Sequence, residues 1–147
     1  MIQNLRRRSR SESGFTLVEL LVVMLVLGLL ASIAVPAFFN QKVKAQDTQA
    51  KSAVKAGQIA LETYATDHNG TYTGATRALL HTIDPTIPTA SSGHNALRVL
   101  TVGAKNYTVT VRSDGGTDFS IARSTLGTLS YACSKPGIGG CKSGGWG

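Results

Sequence analysis

Acids are scarce in this 147-residue chain: eight Asp and Glu stand against fifteen Lys and Arg, a formal charge of +7. From Leu20 to Gln41 there is no charge of either sign, so this run cannot supply the polar face of a helix in water. Histidine and cysteine are almost missing. His68, His81 and His94 sit singly in polar stretches and Cys133 and Cys141 are the only cysteines, which excludes the clustered ligands of structural zinc sites. No grouping of nucleophile, base and acid emerges, so the chain does not read as an enzyme and no cofactor or metal is expected. The nine aromatics are dispersed. Tyr64, Tyr107, Phe119 and Tyr131 read as core and Phe15, Phe38 and Phe39 as membrane residues, not as a conducting stack.

What is present is an apolar run, residues 14–39, long enough to cross a bilayer as a helix of about 20 residues. Arg6, Arg7, Arg8 and Arg10 precede it and hold that end in the cytoplasm by the positive-inside tendency. Glu19 is the anomaly, since a charge near the middle of a membrane helix costs about 2.5–3.5 kcal/mol. Sixteen Leu, Ile, Val and Phe between Phe15 and Phe39 outweigh it. Insertion survives Glu19 but does not call for it. A buried carboxylate usually meets a cation, and a cut between Gly14 and Phe15 would create one, an α-amine four residues before the acid.

The stretch Gly14-Phe15-Thr16-Leu17-Val18-Glu19-Leu20 resembles the prepilin cleavage motif of the type IV pilin and pseudopilin families, specifically over about residues 5 to 45 and only architecturally beyond. The resemblance implies that a prepilin peptidase cuts after Gly14 and methylates the Phe15 amine. It also implies that Glu19 pairs with the terminal amine of a neighbouring subunit during assembly. Gly28 and Pro36 fall where many pilins carry Gly and Pro, so a helix break is expected at these positions, either as helicity lost between them on assembly or as a simple kink. Two plainer readings compete. A secretory signal peptide would use Ser32-Ile33-Ala34 as its small-residue site, but the apolar segment is overlong for it and Glu19 is out of place. A simple anchor leaves Gly14 and Glu19 unexplained.

Removing residues 1–14 takes away four Arg and Glu12, leaving eleven Lys and Arg against seven acids, a formal charge of +4. The remaining excess, including Lys42, Lys44, Lys51 and Lys55, would suit DNA or cell surfaces, though a solvated helix face accounts for it too. Both cysteines lie in the part predicted to be exported, where a pair reads as a disulfide. The short loop it closes contributes about 2.5 kcal/mol on the chain-entropy estimate.

From Lys42 to about Ala65 the period is helical, with Val43, Gln46, Ala50, Ala53, Val54, Gly57, Ala60, Leu61 and Tyr64 on one stripe. Residues 68–74 are loop chemistry, Thr76 to His81 suits a helical turn, and Pro85 and Pro88 keep the following segment irregular. Residues 96–102, 106–113, 118–124 and 129–134 read as strands of an antiparallel meander, with Tyr107, Val109 and Val111 facing inward. Asp114 and Asp118 bracket a glycine pair that reads as a hairpin turn, their oxygens being too few for Ca²⁺. Asn69-Gly70-Thr71 and Asn106-Tyr107-Thr108 match the glycosylation pattern, a weak signal.

The expected fold is α+β, a long N-terminal helix packed on a small antiparallel sheet. Its parts are a basic leader (1–14), a membrane and filament-core helix (15–39), an amphipathic half (40–65) and a head with a C-terminal disulfide loop (66–147). The expected function is a structural subunit that polymerises into a type IV pilus, the alternative being a pseudopilin of a type II secretion or competence machine. Expected partners are further copies of the chain, the peptidase and methyltransferase, the pilus assembly machinery, and the cytoplasmic membrane before assembly. The subunit would end in an extracellular pilus.

Overall fold

The computed structural model describes residues 14–90, 93 and 95–147. The leader arginines, Glu12 and His94 lie outside the described residues. Contacts divide the chain into two units, Met1–Ala37 and Phe38–Gly147. A helix, α1, is assigned over Leu17–Asp67 and thus has residues in both.

In the first unit the helical residues, Glu19 and Ser32 apart, are apolar and exposed, Leu17 to 79% and Leu25 to 68%. This segment meets the length and composition needed to cross a membrane. Gly28 and Pro36 do not break the helix in the single chain. A helical proline forfeits its own N–H bond and crowds the preceding turn, but the surrounding Leu, Ile, Val and Ala keep helical geometry, and Ser32 Oγ donates to Leu29 O at 2.7 Å. A Cβ added to Gly28 would meet nothing within 4 Å, so packing within the chain does not require glycine there.

The second unit is built on the amphipathic half of α1. Ala50, Val54, Gly57, Ala60, Leu61 and Tyr64 are buried, at spacings of three and four that place them on one face. They share a core with Leu97, Tyr107, Val109, Val111, Phe119 and Ile121 of the sheet. Small residues allow close approach: a Cβ at Gly57 would stand 3.1 Å from Val109 Cγ2 and 3.2 Å from Leu97 Cδ1.

The sheet is an antiparallel meander, β1 (Leu97–Val102), β2 (Tyr107–Arg112), β3 (Asp118–Arg123) and β4 (Leu129–Cys133), in the order β1-β2-β3-β4. Each strand falls within the range its composition predicts. The β2–β3 and β3–β4 turns repeat one device. Ser113 N donates to Thr117 O at 2.8 Å and Ser124 N to Thr128 O at 2.9 Å. Gly116 and Gly127, each just before its threonine, have positive φ, as three-residue hairpin turns require. Thr110, expected on the wet face, is buried to 9% exposure and bonds to Ser120 Oγ at 3.0 Å. A bulge lies between Leu97 and Val99 on β1. The carbonyl of Arg98 there accepts from Arg77 at the start of α2 (Arg77–Ile83), capped by Thr76.

Candidate functional site

Three places carry polar chemistry that the fold alone does not demand. The first is the start of α1. Thr16 caps the helix: its Oγ1 accepts from Glu19 N at 3.2 Å while Glu19 Oε2 accepts from Thr16 N at 3.1 Å. This is a capping box, whose spacing is carried by Thr16-Leu17-Val18-Glu19. Glu19 therefore has a local partner before any assembly. It also borders a groove of about 250 Å³ with Phe15, Leu20 and Val23. Phe15 is 86% exposed, and a Cβ on Gly14 would meet nothing within 4 Å. Neither residue is held there by intramolecular packing.

The second place is the head, where α1 meets the end of the chain. Asp47 is fully buried, an acid in line with the apolar stripe of α1. Its Oδ1 accepts from Ser113 Oγ at 2.6 Å and its Oδ2 from Gly140 N at 2.8 Å. One turn on, Lys51 Nζ donates to Gly140 O at 2.6 Å. Adjacent acidic and basic side chains of α1 thus hold the two sides of one residue in the C-terminal loop. The loop is closed by the Cys133–Cys141 disulfide, with a sequence separation of 8. Trp146 then covers the core, its indole N–H shared between Ala132 O at 2.9 Å and Ser120 O at 3.3 Å. Its ring meets Phe119 and Tyr131 edge to face and lies under Lys51 and Lys55. Lys51 is half-buried beneath the tail, and Lys55, although exposed like Lys42 and Lys44, lies 5.9 Å from the Trp146 ring centre.

Farther along α1, Glu62 accepts from Tyr72 and Tyr107, each at 2.8 Å, and from Arg123 at 3.0 Å. Burial, and then the hydrogen bond to Glu62, push the Tyr107 and Tyr72 phenols above their ordinary range. The network borders a cleft of about 450 Å³ that Lys105 and the exposed Leu126 also line.

The remaining sequence candidates take structural places. His68 stacks on Tyr64 and His81 Nδ1 lies 2.6 Å from Ile87 O. Asp118 begins β3, with Arg112 Nε at 3.9 Å. Among the described residues no cluster of three His, Cys, Asp or Glu side chains is placed to hold a metal.

Residues 9–35 match the family model of the prokaryotic N-terminal methylation motif. The chain is 44% identical over 62 residues to the type II secretion system core protein G of Aeromonas hydrophila, which covers 42% of this chain and 43% of that protein. The protein of the same name from Escherichia coli K12 is 34% identical over 90 residues, 60% of this chain and 61% of that one. The type IV major alpha-pilin of Moraxella bovis is 38% identical over 52 residues, 35% and 33% of the two chains. Each match thus spans less than two thirds of the relative's length. No solved structure matches significantly. The methylation motif, the apolar helix that follows it and the similarity to proteins named both as a pilin and as type II secretion core proteins are consistent with the pilin and pseudopilin superfamily.

Proposed function

We propose that this chain is a pseudopilin of a type II secretion system. It would be stored in the cytoplasmic membrane by residues 15–39 and polymerised into a short filament of its own copies. The observation that supports this reading is the run of relatives named type II secretion system core protein G, from Aeromonas hydrophila to Escherichia coli. It displaces the type IV pilus as the first reading, because one major pilin stands against that run. The C-terminal cysteine pair closes a loop in the head. That loop is only eight residues in separation, and its partners are internal to the head, so it does not discriminate between the two.

In this reading a prepilin peptidase cuts after Gly14, where an unpacked glycine leaves the backbone approachable, and the Phe15 amine is methylated. The new amine lies beside the Thr16–Glu19 box. On assembly Glu19 exchanges part of its capping role for the amine of a neighbour, within a core that lipid no longer fills. A charge pair in such a medium is far stronger than in water. Any loss of helicity between Gly28 and Pro36 belongs to this step, since α1 is unbroken in the single chain.

Deletion of the gene tests the reading. Loss of secreted type II substrates from the medium, with surface pili intact, is the expected result. Loss of long fibres containing this chain, with secretion intact, would return the pilus reading. Mass spectrometry of the mature chain should show Phe15 as its first residue with one added methyl.

A further inference from the structure

The C-terminal loop has an unusual dependence. Residues 134–140 include Gly137, Gly139 and Gly140, which lose more freedom on ordering than other residues. Gly139 has φ +60, and a Cβ there would run into Asp47 Oδ2. Two hydrogen bonds seat this loop on α1, Gly140 N on Asp47 and Lys51 on Gly140 O, while Gly137 N donates to Cys141 O at 2.7 Å within the loop itself. Asp47 is fully buried, so the loop that satisfies half of its carboxylate also shields it from water. Only four residues separate Cys141 from Trp146, the anchor of the tail.

We infer that the Cys133–Cys141 bond and buried Asp47 form an oxidation-dependent latch, which seats the C-terminal loop and Trp146 on α1 and completes the head surface only once the disulfide forms. Closure is a thiol–disulfide exchange. Cys133 and Cys141 give up two protons and two electrons to a disulfide-bearing oxidant outside the cytoplasm, which leaves as the dithiol. Before that, the glycine-rich loop is free to leave Asp47, water reaches the carboxylate, and Trp146 loses the segment that aims it. After it, the short cross-link keeps Gly140 within reach of both Asp47 and Lys51. The latch rests on export of the head, proposed above, and not on which filament the subunit joins.

Trp146 is the single tryptophan, so its emission reports the latch directly. The full chain is purified in detergent, reduced with a phosphine until two thiols titrate, and compared with the oxidised form. The expected result is a red-shifted emission and easier iodide quenching, with helix and sheet signals in circular dichroism retained and the change reversed on reoxidation. Hydrogen exchange at the Gly140 amide should accelerate about 10-fold or more. Asp47→Asn with the disulfide intact should speed exchange at Gly140 selectively, because one acceptor oxygen becomes a donor. Unchanged emission and exchange in the fully reduced chain would overturn the latch. So would loss of the whole head's circular dichroism on reduction, since the bond would then hold the fold and not the tail. Cysteine reduction acts on the purified subunit, so its result is independent of the secretion phenotype.

Discussion

Tyr107 Oη on β2 donates to Glu62 Oε1 on α1 across 2.8 Å. Burial raises the phenol's pKa well above its ordinary 10.0, and the hydrogen bond to Glu62 and that residue's charge add to the rise. Tyr72, on the other carboxylate oxygen, is raised for the same causes in the same order. A raised pKa means that the folded state favours the protonated phenol. The contribution to stability is therefore complete below the unfolded value near 10 and is lost as pH rises above it toward the folded value. Urea midpoints of the full chain in detergent should be flat from about pH 7 to about pH 9 and fall above about pH 10. Tyr107→Phe should fall less steeply in the alkaline range, with the remainder due to Tyr72. Parallel alkaline slopes in the two proteins would dissociate the stability loss from Tyr107.

Gly57 sets the distance between α1 and the sheet. A Cβ there would stand 3.1 Å from Val109 Cγ2 and 3.2 Å from Leu97 Cδ1, closer than comfortable contact but against side chains that can give a little. Gly57→Ala gains about 1 kcal/mol of helix propensity and loses a similar amount to crowding, so the thermal midpoint should barely move. Gly57→Leu has no such offset and should destabilise by about 1–3 kcal/mol. A neutral Leu variant would show that the helix and sheet can separate freely.

Much of this architecture is legible in the chain because two periods differ so clearly. Alternation in Tyr107-Thr108-Val109-Thr110-Val111 marks β2, and the turn glycines at 116 and 127 fix its neighbours. The stripe from Ala50 to Tyr64 marks the helix face. What escapes is polar burial. Asp47 lies four residues after Val43 and three before Ala50, squarely on that stripe, yet an acid reads as solvated until Ser113 and Gly140 come to it from 66 and 93 residues away. Glu62 is hidden for the same reason, its partners being two tyrosines and an arginine from other elements. Trp146 has no periodic neighbours at all in a glycine-rich tail, and only the fold shows what it covers. Of the motif at the start of α1, Gly14, Phe15 and Glu19 stand out by type, whereas the capping role of Thr16 needs the spacing to be read as well.

Asp47 carries a stability consequence that does not depend on redox state. Asp47→Ala removes the acceptor of Ser113 Oγ and of Gly140 N together, leaving a half-buried amide and a buried hydroxyl, the latter costing about 1–3 kcal/mol when unmet. Chemical unfolding should show a loss of about 2 kcal/mol or more. Ser113→Ala should cost less, since Asp47 Oδ2 keeps its bond to Gly140. An Asp47→Ala variant as stable as the parent would mean that water already serves the carboxylate.

Glu19 has two roles that can be separated, the capping of α1 and the pairing proposed during assembly. The carboxylate accepts from Thr16 N at 3.1 Å, and a glutamine at the same place in a capping box can do the same. Glu19→Gln therefore keeps the helix start and removes only the charge. Thr16→Val does the reverse, losing the hydroxyl that accepts from Glu19 N, at about 1 kcal/mol, while leaving the carboxylate. Both variants should insert in the membrane and be cut after Gly14, because the apolar run is untouched. If the charge pairs with a neighbour's amine, Glu19→Gln yields processed subunits that accumulate in the membrane without filaments, and Thr16→Val still assembles. Sheared filament fractions resolve the two. Normal filaments from Glu19→Gln would leave the acid with capping alone, and the charge pairing would have to be abandoned.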